Sequence, residues 1–141
     1  MDIRPSCLHY RPWCLWGLGL FMAQVAGAQA LLRCAIEVNG EVQVHEFKPT
    51  SDPYRVESVA IGERFRFKAL VWTEAEGVKL VSIAAYYQTR RQPMLMQQAK
   101  YIKPIPQTQP APDALTGRVA LYSPLLGKEL AYQCALHRES P

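Results

Sequence analysis

The run ERFRFKALVWTEAEGVKLVSIAAYYQ, Glu63 to Gln88, decides the fold class. In its first half Phe65, Phe67, Ala69 and Val71 alternate with Arg64, Arg66 and Lys68. That period of two places apolar side chains on one face of a strand and cations on the other. The second half, Val78 to Tyr87, is rich in Val, Ile, Ala and Tyr but alternates less cleanly, the pattern of a strand covered on both faces. Between the halves, Thr73-Glu74-Ala75-Glu76-Gly77 is polar and ends in glycine. Together the two runs predict a long antiparallel hairpin at the centre of a sheet.

Upstream, residues 1–30 have the order of a cleaved secretory signal peptide. Arg4 and Arg11 lead, an apolar run extends from Leu15 to Ala28, and Ala26-Gly27-Ala28 and Ala28-Gln29-Ala30 offer overlapping small-residue cleavage patterns. The apolar run is shorter than the roughly 20 residues that a transmembrane helix needs. Arg33, a bulky cation just before Cys34, argues against a lipid-modified cysteine. The expectation is a periplasmic or secreted protein without a transmembrane span. Residues 31–141 would then form one domain of ordinary size. Loss of Arg4, Arg11 and Asp2 with the leader leaves 14 basic and 11 acidic residues, a net charge of +3. So mild a balance does not imply a nucleic-acid partner, which depends on clustered cations that neutralise phosphates, and none is expected.

Two cysteines remain after the leader, Cys34 and Cys134, near opposite ends of the domain. In an exported chain such a pair forms a disulfide. Strand parity agrees: Leu32, Cys34, Ile36 and Val38 share one face of the first strand, and Leu130, Tyr132, Cys134 and Leu136 share one face of the last. Both sulfurs therefore point into the apolar layer.

Asn39-Gly40 suggests a two-residue hairpin turn. That turn sets Ile36 opposite Gln43 and Cys34 opposite His45, apolar against polar. A three-residue loop, Val38-Asn39-Gly40, pairs Ile36 with Val42 and Cys34 with Val44 instead, with Gly40 in the left-handed position of a bulged turn. The hydrophobic pattern favours the bulged register.

Farther along, Lys48 to Pro53 is a loop by composition, and Tyr54 to Ala60 reads as a short strand before Ile61-Gly62 turns into the central hairpin. Met94 to Lys103 follows as a strand, with Pro93 at its start. A proline-rich loop over residues 104–116, with Pro104, Pro106, Pro110 and Pro112, then acts as a crossover between sheets. Gly117 to Ser123 and Lys128 to His137 are the last strands. Seven to eight short strands without a convincing helix indicate an all-β domain, an antiparallel β-sandwich of immunoglobulin-like or similar kind, with a closed β-barrel as the alternative.

The usual catalytic signatures are absent: there is no G-x-S-x-G, H-E-x-x-H, P-loop or dinucleotide glycine pattern. His45, Ser51 and Asp52 have no spacing that favours a nucleophile and base over a polar loop. Neither an enzyme nor a cofactor is expected. Met94 and Met96, at i and i+2, are soft ligands suited to Cu(I) if His45 or His137 joins them, which gives a small copper-handling protein as the alternative function. Alternating methionines are more commonly core filler. The leading candidate surface is basic and aromatic. It comprises Arg64, Arg66 and Lys68 on one strand face, Tyr86, Tyr87, Arg90 and Arg91 at the hairpin end, and Lys100 on the next strand. Guanidinium forks and tyrosine rings recur in protein interfaces. The expectation is therefore an exported, non-enzymatic binding or accessory module of the cell envelope. Its partner would be a protein or an anionic envelope component.

Overall fold

The computed structural model describes residues 29–124 and 126–139. The expected leader, apart from Gln29 and Ala30, lies outside the described residues. The described chain is all β: β1 (Gln29–Val38), β2 (Glu41–Phe47), β3 (Pro49–Thr50), β4 (Val59–Ile61), β5 (Phe65–Glu74), β6 (Gly77–Gln88), β7 (Pro93–Ile102), β8 (Val119–Tyr122) and β9 (Glu129–Glu139). They form two sheets that do not close into a barrel. The smaller has the order β2-β1-β9-β8; the larger has the order β3-β5-β6-β7, with β4 also paired to β5. The first two and last two strands thus make one sheet and the five between them make the other. The immunoglobulin order, by contrast, interleaves the two sheets along the chain.

The sheets enclose one core, and strand parity explains it. Leu32, Cys34 and Ile36 of β1, with Leu130, Tyr132, Cys134 and Leu136 of β9, meet Phe65, Phe67, Ala69 and Val71 of β5 and Val81, Ile83, Ala85 and Tyr87 of β6. Aromatic rings bridge the layers. Phe67 packs edge-on to Tyr132 with centroids 5.2 Å apart and lies 5.9 Å from Phe47. The Tyr132 hydroxyl donates across the core to Gln97 Oε1 of β7 at 2.7 Å. Apolar burial at this density is the main stabilising contribution of a small domain.

The disulfide joins Cys34 to Cys134, 100 positions apart and directly opposite each other on β1 and β9. Both residues are fully buried. First and last long strands are therefore neighbours inside one sheet, and the bridge fixes their register.

Four sequence expectations need correction. First, the β1–β2 hairpin has the two-residue turn. Val38 pairs with Glu41, Ile36 with Gln43 and Cys34 with His45, while Asn39 and Gly40 both have positive φ, 54° and 80°. Positive φ at both positions belongs to the tight primed turn, whose twist matches that of the strands. Gly40 has the sign that the bulged turn also requires, so the turn chemistry alone did not separate the two registers. Second, Tyr54 to Ala60 is not a strand: only Val59–Ile61 pairs, and residues 53–58 are irregular. Asp52 holds that segment as a turn by accepting from the Tyr54 N–H at 3.0 Å. Third, β6 is central in its sheet but only partly covered on its outer face, where Ala84 is buried while Leu80, Ser82 and Tyr86 remain half-exposed. Fourth, β1 starts two residues before the expected domain boundary. Gln29 and Ala30 pair with Glu139 and Arg138, and Ala30 belongs to the core.

The proline-rich segment does cross from the larger sheet to the smaller, and it also seals an edge. β8 covers β9 only over residues 129–132. Beyond that, the Cys134 N–H donates to Thr116 Oγ1 at 2.8 Å and the Leu115 N–H donates to the Cys134 carbonyl at 3.0 Å. Gln107 continues the pattern, donating to the Leu136 carbonyl at 3.0 Å and accepting from the Arg138 N–H at 2.8 Å. Backbone groups of β9 that would otherwise be open are thus satisfied by irregular chain.

Candidate functional site

The outer face of the larger sheet is the surface on which half of the candidate residues meet. Strand register arranges it as four rows running from β5 through β6 to β7. They are Arg66–Tyr86–Leu95, Lys68–Ala84–Gln98, Leu70–Ser82–Lys100 and Trp72–Leu80–Ile102. One end is therefore cationic and aromatic, and the other is apolar. Arg66 is held in place by Ser58, whose hydroxyl accepts from Nε at 2.9 Å and whose carbonyl lies 3.4 Å from Nη2. Arg66, Lys68, Tyr86 and Pro93 line a shallow hollow of about 530 Å³ with Val56, Glu57 and Ser58.

Of the eight residues singled out by sequence, Arg66, Lys68, Tyr86 and Lys100 share this face. Arg64 stands just before β5, its carbonyl accepting from the Gln88 N–H at 2.6 Å, at the same end as Arg66. Arg90 and Arg91 are exposed in the β6–β7 turn. Thr89 shapes that turn: its Oγ1 donates to the Gln92 carbonyl at 2.7 Å and accepts from the Arg91 and Gln92 N–H groups. Tyr87 is different. It points into the core, 2 % exposed, and packs edge-on against Phe65. Adjacent residues on a strand face opposite ways, so Tyr86 and Tyr87 cannot both serve one surface.

Four other cations among the described residues are held in ion pairs. Arg33 pairs with Glu46, Arg55 with Asp52, Lys79 with Glu74 and Glu76, and Arg118 with Glu37. Among the described residues, Arg64, Arg66, Lys68, Arg90, Arg91 and Lys100 make no ion pair, and neither do Lys48, Lys103, Lys128 and Arg138 elsewhere; what marks the candidates is their clustering. Sequence reasoning missed the apolar rows beside them, Leu70 and Trp72–Leu80–Ile102, of which Ile102 is 72 % exposed. The signal was present: Leu70 and Trp72 continue the parity of Arg66 and Lys68.

The metal candidates are not brought together. Met94 and Met96 pack against the core from β7, an edge strand of the larger sheet. A bulge between Ala85 and Tyr86 of β6 leaves Met96 without a direct partner. His45 stands on β2, an edge strand of the other sheet, and His137 pairs with Leu31 on that sheet's outer side. Among the described residues, no group of three or more His, Cys, Asp or Glu side chains is arranged to hold a metal ion. Asp52 is engaged by Arg55 at 3.1 Å and by the Tyr54 N–H, which ties it to its loop.

Other concavities lie elsewhere among the described residues. A groove of about 430 Å³ on the outer face of the smaller sheet is walled by Pro110, Pro112 and Val44 over Ala35 and Ala135. His137 lines it, its pKa lowered from the ordinary value by burial and by the Arg33 charge, with Glu46 opposing. A wider cleft of about 850 Å³ opens beside the β5–β6 turn, where Lys79 is held by the two glutamates. No helix among the described residues is long and apolar enough to cross a membrane. No family model, curated protein or solved structure matches the chain.

Proposed function

We propose that this protein is an exported, non-enzymatic β-sandwich module of the cell envelope, and that it binds an acidic partner protein through the outer face of the larger sheet. The observation that carries this reading is the clustering of Arg66, Lys68 and Lys100, none of them in an ion pair, on one face with Tyr86 and beside the apolar row Trp72–Leu80–Ile102. An acidic patch beside an apolar one on the partner complements that layout. Desolvated apolar contacts supply affinity, and the charges steer the encounter and select the partner. Signal-directed export and a disulfide suit the same setting.

The test is quantitative affinity capture from an envelope fraction, wild type against the triple variant Arg66→Glu, Lys68→Glu, Lys100→Glu. These side chains lie on the outer face, and the denaturation midpoint of the variant checks that it folds. A set of acidic proteins held by wild type and lost by the variant is expected. Retention of the same proteins by the folded variant would refute the reading.

A further inference from the structure

Each sheet has one edge closed by irregular pieces and one left open. β5 is flanked by β4 at one end and β3 at the other, and β9 by β8, Thr116 and Gln107. Among the described residues, the open edges are β7 and β2. β7 carries protective features: a proline at its start, a lysine and a bulge at Met96. β2, sequence EVQVHEF, has none of them.

Its side chains are also inverted. Gln43 and His45 share the inner side with Ile36 and Cys34, while Val42 and Val44 face out, 57 % and 60 % exposed. The direction of its backbone groups follows from its neighbours. The Cys134 N–H points away from β1, to Thr116, so Cys34 and Cys134 form a pair without mutual backbone hydrogen bonds. Cys34 therefore directs its own N–H and C=O toward His45 of β2. By alternation, Val42, Val44 and Glu46 direct theirs to the open edge.

We propose that two copies of this chain join by antiparallel pairing of β2 with β2, centred on Gln43, to make one continuous sheet of eight strands. In that register Val42 of one copy opposes Val44 of the other, twice, and these are the residues whose edge hydrogen-bonding groups are open. Glu41 opposes His45, again twice, and the two Gln43 amides meet at the twofold axis. Glu46 falls opposite Gly40, so no like charges are juxtaposed. The neighbouring register, centred on Val44, sets Val42 against Glu46 and loses this match. The self-complementarity of the strand is what selects a second copy as the occupant. This surface is separate from the basic face of the larger sheet, and neither proposal depends on the other.

Sedimentation over a concentration series, with the native disulfide intact, tests the association. A reversible monomer–dimer equilibrium is expected for wild type. Val44→Lys, an outward substitution, and Val44→Pro, which removes only an edge N–H, should both leave a folded monomer. Register is read by cysteine trapping in a glutathione buffer. Gln43→Cys should cross-link to itself at least about tenfold faster than Glu41→Cys, because only position 43 meets its own copy. A wild type that stays monomeric into the millimolar range, a dimer unaffected by Val44→Lys, or equal trapping at positions 41 and 43 would each overturn the proposal.

Discussion

Tyr132 and Thr116 show how single residues tie the fold together. Tyr132 is buried between the sheets with its hydroxyl on Gln97, and burial pushes its pKa up to about 12 from an ordinary value near 10, with Tyr101 adding a smaller effect. The folded state thus keeps a proton that the unfolded chain releases. Its contribution to stability is fully present below pH 10 and is lost as pH rises from about 10 to about 12. Tyr132→Phe is expected to cost about 1 kcal/mol at neutral pH through the lost hydrogen bond. The gap between wild type and variant should then shrink, and invert, by roughly 2 kcal/mol across the alkaline range, as read by urea denaturation at successive pH values. Thr116 supplies the acceptor for the Cys134 N–H beside the disulfide. Thr116→Val keeps the shape and removes the acceptor, so about 1–3 kcal/mol of destabilisation is expected in the same measurement.

At the scale of elements, the long strands were legible because a strand with one buried face must alternate. The alternation in β5 and the faces of Cys34 and Cys134 follow directly from that rule. β2 was misread because its inner side lies at the margin of the core, where Gln43 and His45 are tolerated. With little burial to enforce a register, the Asn39-Gly40 turn decided it. β3 and β4, two and three residues long, are too short to carry any period. Of the candidate face, the cations were legible from parity, but Tyr87 was misplaced because a run of aromatic residues hides which one faces inward. Gly40→Ala should cost about 1 kcal/mol by thermal denaturation, since a Cβ is strained at that positive φ even in open space. The start of β1 bears on export. Cleavage after Ala28 keeps Gln29 and Ala30 in the sheet, whereas cleavage after Ala30 removes two paired residues, one of them buried. N-terminal sequencing of exported material should therefore begin at Gln29; a start at Leu31 would contradict this.

For the molecule as a whole, the pairing of β1 with β9 organises the rest. It places the first and last strands of the described chain in the middle of one sheet, leaves β2 as that sheet's edge among the described residues, and lets the intervening strands form the sheet that carries the basic face. The disulfide spans a separation of 100 residues, and closing so long a loop is worth about 4–5 kcal/mol in the chain-entropy model. That is a large fraction of what a domain of this size possesses. Reduction, or the double substitution Cys34→Ala, Cys134→Ala, should lower the denaturation midpoint by a corresponding amount. Both proposed surfaces presuppose this arrangement of the strands. The most direct test is peptide mapping of exported protein prepared without reductant and with thiols blocked. A linked pair of peptides carrying Cys34 and Cys134, with no free thiol at either, is the predicted result; recovery of both cysteines as blocked free thiols would contradict the account.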